Sequence, residues 1–409
     1  MKLRIQHRLP SATHKRRGAV VILCVAMMLI TLGIAAFTVD FGVLNVTKGQ
    51  VQNAADSAAH AALQELSKGL GPGATSTSQQ ASTAAGTKAQ SMVARFRSGD
   101  VSSTQLSPGR DLRFGRRSWN PTSNAWVKEW GVQPYNMVEV SVRRTEEAGA
   151  PLGSVFASVF GFKSFDVEAK SVASLAPVVG FELPSTSSSE TIDLLPFTVD
   201  LTTWNNLVDA NLSSNPNCNS GSGSGSSSGS SFTDNYSFSN GNVCGSSDGV
   251  REMNIYPDAN TNMPSGNRGT VDLGSPNNST NDLKRQIVNG LNAYDLSFFP
   301  NNRISFNSSG TLTLNGDTGI SAGIESSLQS IIGQVRAIPI FTSVSGPGNN
   351  AQFVIVRFVG IRVMAVKLTG GPNQRYLRVQ PAPLTTRHGI RGNVPVTVDM
   401  VLSQPLLIE

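Results

Sequence analysis

Four histidines, three cysteines and 27 carboxylates are the side chains of this 409-residue chain with the means to do acid–base, metal or nucleophilic chemistry. Their spacing supports none of it. His7, His14, His60 and His388 are scattered, and no His-Glu-x-x-His, Cys-x-x-Cys or Walker-type Gly-Lys-Ser/Thr run occurs. A nucleophile elbow of the Gly-x-Ser-x-Gly kind needs a strand before it and a helix after it. The Gly/Ser tract between Cys218 and Cys244 contains such a string, but neither neighbour. No calcium loop of EF-hand form is present, and turns bearing Asp248 or Asp272 offer a weak contact at best. The chain therefore reads as a non-enzyme, with no catalytic, cofactor-binding or metal-binding set, and its work must lie in packing and surfaces.

The stretch that organises the remainder runs from Lys15 to Leu66. Lys15, Arg16 and Arg17 stop abruptly at Gly18, and no charged side chain follows until Asp40. That interval, 18–39, is 22 residues of apolar or small side chains, and a transmembrane helix needs about 20. Thr31 and Thr38 do not forbid the span, because each hydroxyl can bond a carbonyl one turn back. A cleaved signal peptide is the rival reading, but its apolar region would be about 7–15 residues and would end at a small-residue site. Here the run is longer and flows into more helix. Lys2, Arg4, Arg8, Lys15, Arg16 and Arg17 precede it without any acid, so the positive-inside rule keeps residues 1–17 in the cytoplasm and exports the rest. The expected location is a bacterial inner membrane, crossed once, with the lipid bilayer as the first partner. Those six basic residues also account for the whole net charge of +6, leaving 27 basic and 27 acidic residues outside and no case for nucleic acid.

Beyond the span a stalk helix is expected over 40–68. Val51, Ala54, Ala55, Ala58, Ala62, Leu63 and Leu66 recur at three- and four-residue steps, and Gly69, Gly71, Pro72 and Gly73 end the pattern. From Gly18 to Leu66 this makes a rod of roughly 70 Å, with Gly42 and Gly49 as weak points. The stripe is alanine more than leucine, so it suits close approach of another backbone. Two occupants remain open: the chain's own exported part, or a helix of another subunit.

Three short runs here stand in a fixed order: Arg16, Arg17 and Gly18; then Val39, Asp40 and Gly42; then Gln52, Asn53, Ala54, Ala55, Asp56, Ala58 and Ala59. In that order they resemble the N-terminal segment of the TadG-like (TadE/TadG-type) proteins of the Tad, or Flp, pilus system. Val51 stands where that family has Leu, and His60 where it tends to be apolar. The resemblance implies an assembly or structural component of a pilus, with other pilus or envelope subunits as partners through the N-terminal helix. Larger members of the family carry a von Willebrand A domain with an Asp-x-Ser-x-Ser metal loop. The nearest string here is Asp200-Leu201-Thr202-Thr203-Trp204, and Trp204 occupies the place of the second hydroxyl. Pilin processing is not implied either, since the Glu expected five residues after a scissile Gly18 is Leu23. Asp40 ends the apolar run rather than interrupting it, which places it at the wet outer interface; the alternative is a buried partner for another subunit. A membrane-tethered adhesin or an envelope enzyme are the competing functional classes.

The fold class expected is α+β: one transmembrane helix, the alanine-rich stalk, then two β-rich extracytoplasmic domains. Residues 69–86 read as a linker or a loosely held helix. In 87–176, strands over Asp111–Gly115, Ala125–Trp130, Met137–Arg143 and Phe165–Leu175 surround a short apolar helix, Pro151–Phe160, that caps their sheet. Residues 177–191 are a second linker. In 192–409 one helix is expected from Ile320 to Val335, with strands at Ile338–Val344, Phe353–Leu368, Tyr376–Val379 and Val394–Leu402, and a bulge or bend at Gly360. Cys24 is a small apolar packer in the span. Cys218 and Cys244 bracket the Gly/Ser insert at 218–244, and in an oxidising compartment they would close it with a disulfide worth roughly 3.5 kcal/mol.

Overall fold

The computed structural model of the chain describes residues 19–408, apart from 75, 186–187, 215–231, 257–264, 275–278, 347 and 372–373. Its first element, α1 (Ala19–Leu66), is one unbroken helix of 48 residues that passes through Gly42 and Gly49 without a kink. The helix changes character along its length. From Val20 to Phe41 its large apolar side chains are exposed, whereas Val51, Ala54, Ala55, Ala58, Ala62 and Leu63 are all at 0%.

What covers the second half is the chain itself. Ala81, Ala85, Ala89 and Val93 of α2 (Ser78–Val93) meet it on one side. Side chains this small let two helices approach closely. On the other side lies an antiparallel sheet. In chain order its strands are β1 (Leu112–Asn120), β2 (Ala125–Trp130) and β3 (Met137–Arg144), then a small hairpin of β4 (Leu152–Gly153) and β5 (Ser164–Phe165), then β6 (Val167–Ser174). The sheet order is β2-β1-β3-β6, with Leu406–Leu407 added beyond β6. In β3, Val138, Val140 and Val142 are fully buried in the cluster that includes the α1 stripe, and Met137 and Ser141 on the other face are buried as well. The region read as a linker, 69–86, contains the first two turns of α2, nucleated by a capping box in which Thr77 and Gln80 bond each other's backbone N–H. Gly69 packs so closely on this helix that an added Cβ would lie 2.6 Å from Ala81 Cβ.

The remaining strands are β7 (Val178–Glu182), β8 (Phe197–Asp200), a β9–β10 hairpin (Ser237–Ser239 and Asn242–Cys244), β11 (Met253–Asn254), β12 (Arg268–Val271), β13 (Arg303–Ser305), β14 (Leu312–Asp317), β15 (Val335–Ser345), β16 (Ala351–Lys367), β17 (Tyr376–Pro381) and the short strands Thr385–Thr386, Gly389–Arg391, Leu402–Ser403 and Leu406–Leu407. β16 is the frame. One of its edges pairs with β15; the other pairs first with β14 and then with β17. From β14 the order continues through β12 and β8 back to β15, closing a five-stranded ring whose one parallel pair is β8 with β15. Closure removes free edges. With its long apolar helix followed by two β-rich parts, the protein is α+β.

Four local expectations change. Pro151–Phe160 is not a helix on the sheet: it forms β4 and a bend, then one 3-10 turn at Ala157–Phe160 with exposed apolar side chains. The helix expected from Ile320 to Val335 shrinks to Ala322–Gln329, because Gly333 has φ +83° and β15 has already begun at Val335. Gly360 marks close approach rather than a bulge, since a Cβ there would lie 2.2 Å from the Ala382 carbonyl oxygen. In 394–402 the backbone is extended or turned, with β pairing of Leu402 and isolated Met400.

Burial of the alanine stripe yields the first prediction. Ala58→Trp, expected from sequence to spare the exported fold if the stripe met another subunit, should instead overpack the α1–sheet core, costing at least about 1–3 kcal/mol. His60→Trp, on the exposed side of the same helix, should change the melting temperature little. Thermal unfolding of the purified full chain in detergent compares the two.

Candidate functional site on the long helix and the Val155–Phe162 loop

Along one face of α1, Gly33 and Ala36 are half-buried and Asp40 is fully buried, while the residues around them are exposed. The covering group is the tip of the β4–β5 hairpin. Its chain turns so sharply that the N–H groups of Val155, Phe156 and Ala157 point the same way, ahead of the 3-10 turn at Ala157–Phe160. Asp40 accepts all three: Val155 N donates to Oδ1 at 2.8 Å, Phe156 N to Oδ1 at 3.1 Å, and Ala157 N to Oδ2 at 2.5 Å. Helix-like turns leave their first N–H groups without internal partners, and a carboxylate is a strong acceptor for them. Asp40 is thus a cap supplied from another element. The expectation of a wet interface is overturned: Asp40 is only 3% exposed. Its partners lie 115 residues or more further along the chain, beyond the reach of a local reading.

The base of the hairpin is held by a buried arginine. Arg144, at the end of β3, donates to the carbonyls of Ala150, Pro151 and Ser98, and its Nη2 lies 2.7 Å from Asp100 Oδ1. Burial alone would raise the Asp100 pKa, but the Arg144 hydrogen bond and charge, with backbone N–H groups including that of Gly153, bring it below the usual value. Gly99 between them has φ +60°, and a Cβ there would come within 2.6 Å of Leu152 Cδ1 and 2.8 Å of Thr47 Oγ1. Its N–H donates to Gln50 Oε1 at 2.7 Å.

The motif residues divide by role. Gln52 Nε2 donates to Asp56 Oδ1 at 2.8 Å and to the Lys170 carbonyl at 3.2 Å, tying α1 to β6. Asn53 is exposed, and a Cβ built on Gly42 would meet nothing within 4 Å. Gly18 lies outside the described residues. Ala54, Ala55, Ala58 and Ala62 serve the chain's own core, so of the two occupants open for the stripe the structure has this chain's own α2 and first sheet. Cys218 also lies outside the described residues; Cys244 is exposed at the end of the β9–β10 hairpin. The residues that sequence reasoning missed are Arg144, Gly99 and the Val155–Ala157 amides. The local signal for the last was a run of apolar side chains interrupted by Pro151, Gly153 and Gly161.

Elsewhere the geometry offers little chemistry. Trp204 Nε1 donates to Asp399, which also takes Arg357, so the indole is a structural donor. Two further Gly-x-Ser-x-Gly strings, centred on Ser247 and Ser321, have their hydroxyls against Asp234 and Thr280. Asp272 has its pKa pushed up to about 6 by burial and by nearby Asp317, against a lowering bond from Asn315. Among the described residues no group of three or more His, Cys, Asp or Glu is placed to hold a metal. A hollow between the two β-rich parts, lined by Leu70, Arg116, Asn136 and Val398, measures about 130 Å³, and small-molecule sites run from roughly 300 Å³ upward.

An apolar helix running straight into a compact α+β body defines the class. Comparison then names what this part of the chain is similar to: residues 18–65 match the family of Flp pilus-assembly TadE/G-like proteins, and residues 50–173 match a family of Tad-like Flp pilus-assembly proteins. Together these matches run through α1, α2 and the sheet to β6, and they support a role in pilus assembly. Residues 174–409 fall outside both. No curated protein and no solved structure matches the chain.

The cap generates the second prediction. Asp40→Ala leaves the Val155, Phe156 and Ala157 amides without their acceptor, so their hydrogen exchange in the full chain should quicken by roughly tenfold or more. Asp40→Asn, which keeps one carbonyl oxygen, should fall between. Unchanged exchange in both variants would show that the loop is held by other contacts.

Proposed function

We propose that the protein is an inner-membrane-anchored structural or assembly component of a Tad/Flp-type pilus, with residues 1–17 cytoplasmic and the part beyond Asp40 exported. The observation that carries this reading is the division of α1. Its first half exposes its large apolar side chains, and its hydropathy and length suffice to cross a bilayer. Its second half is built into a folded body, so the proposed anchor and exported part share one unbroken helix. The matches over residues 18–173 supply the pilus context. Partners are the bilayer and other pilus or envelope subunits, met through exposed surfaces rather than through the alanine stripe. The protein works by packing and placement, not by a reaction.

Two measurements test it. A reporter that fluoresces only in the cytoplasm, fused after Leu66, should be dark, and an exported reporter at the same place should be active. Deleting the gene should abolish or sharply reduce pili. A bright cytoplasmic reporter overturns the orientation, and an undiminished pilus count overturns the assembly role.

The same orientation puts Cys218 and Cys244 in an oxidising compartment, where they are expected to close the Gly/Ser insert. Mass spectrometry of unreduced peptides from exported protein should find them linked. Recovery of both as alkylated thiols without reduction would remove the bridge.

A further inference from the structure

We propose that the Val155–Phe162 loop is a second membrane contact, immersed beside α1 in the leaflet on the exported side, with lipid acyl chains as its partner. The inference rests on the reading of α1 as a membrane anchor. Val155, Phe156, Val159, Phe160 and Phe162 are all exposed, Val159 at 82% and Phe160 at 67%. Five large apolar side chains within eight residues make a contiguous patch of the sort that marks an interaction surface. In the rest of the sheet-bearing part, the described exposed large apolar residues are Val127 and Val132.

Position decides the occupant. Phe160 Cζ lies 4.0 Å from where a Cβ on Gly33 would stand. Gly33 is seven residues before Asp40, about 10 Å along the helix axis and well inside the apolar run. A bilayer that receives α1 up to Val39 must therefore receive the tip of this loop as well. The patch is continuous with the exposed apolar surface of the helix, including Phe37 and Phe41.

Charge and backbone agree. Between Glu147 and Asp166 the only charged side chain is Lys163, whose stem can lie along lipid while its ammonium reaches headgroups. Hydrocarbon offers no partner to a backbone N–H, so the amides of a loop that dips into a leaflet must be bonded within the protein. Here the Val155, Phe156 and Ala157 amides go to Asp40, while Val159, Gly161 and Phe162 donate to carbonyls of Phe156, Ser158 and Ala157. The Ser154 hydroxyl donates to the Phe162 carbonyl at 2.6 Å. Asp40 thus removes three donors that lipid could not satisfy, and the same three N–H groups take the place of water around its carboxylate.

The test uses the full chain in vesicles of phosphatidylethanolamine and phosphatidylglycerol, with photoreactive p-benzoylphenylalanine at one position at a time: 160, 30 or 127. Illumination followed by mass spectrometry reads lipid adducts. The expected result is adducts at position 160 within about twofold of those at position 30, and few at position 127. Adducts at 30 but not at 160 overturn the loop inference and leave the anchor standing. Crosslinks from 160 to a second copy of the chain, in place of lipid, overturn it too. Adducts at neither 30 nor 160 overturn the anchor reading and this inference together.

Discussion

A carboxylate on one helix facing three consecutive backbone N–H groups of a distant loop is the joint on which the geometry depends. Without Asp40 the Val155–Ala157 amides would be orphans, and the tip would have no polar reason to lie against α1. The base of the same hairpin is fastened independently, by Arg144 to the Ala150 and Pro151 carbonyls. Between the two fastenings Gly99 allows Leu152 and Thr47 to approach. The loop is therefore posed from both ends, and its apolar side chains face outward because the polar bonds leave them no other direction.

The alanine stripe does complementary work. Asp40 fixes where the loop meets the helix, while Ala54, Ala55, Ala58 and Ala62 fix how deeply the helix sits between α2 and the sheet. A leucine stripe would bury more area per residue, but it would hold the neighbouring backbones apart. With alanines on both α1 and α2, stabilisation comes from many close contacts at interior density rather than from a few large side chains. Such an interface resists insertion of volume more strictly than loss of it. A surface spent in this way has none left to offer another subunit.

Local periodicity made much of this legible. α1, the β1–β2 hairpin, β3, β6, β15 and β16 each follow from a pattern of period 3.6 or 2 within their own residues. Misreadings fall where the same pattern has two physical causes. Val155, Phe156 and Val159 have helical spacing, but spacing does not tell which surroundings an apolar face meets. Ile320 to Val335 keeps the period of a helix, while Gly333, with φ +83°, turns the chain into β15. The site was half legible. Gln52 and Asp56 could be flagged from their order in the chain, and their one-turn spacing accounts for the bond between them. Asp40's partners, the closure of the ring and the return of Leu406–Leu407 to β6 are all long-range contacts, and no window of sequence contains both members.

That return bears on how the two parts of the molecule move together. The chain leaves the first sheet after β6 and comes back to pair with β6 again, Leu406 with Ser174 and Leu407 with Ala173. Ser403 exchanges bonds with Ala176 at the same place, its N–H donating to the carbonyl at 2.8 Å and its Oγ accepting from the amide at 3.2 Å. The ring-bearing part is thus inserted between two segments that meet, and it is tethered at both ends rather than hung from one linker. A single tether permits a hinge; two adjacent ones, with Gly73 pressed against the Pro381 carbonyl, oppose it. The end of the β6 edge away from β3, Val172 to Ser174, is covered by the segment around Leu406–Leu407. Since β6 also packs against α1, a force on the outer part passes through β6 into the helix. If α1 is the membrane anchor proposed above, that path sets the orientation of the ring-bearing part relative to the membrane plane.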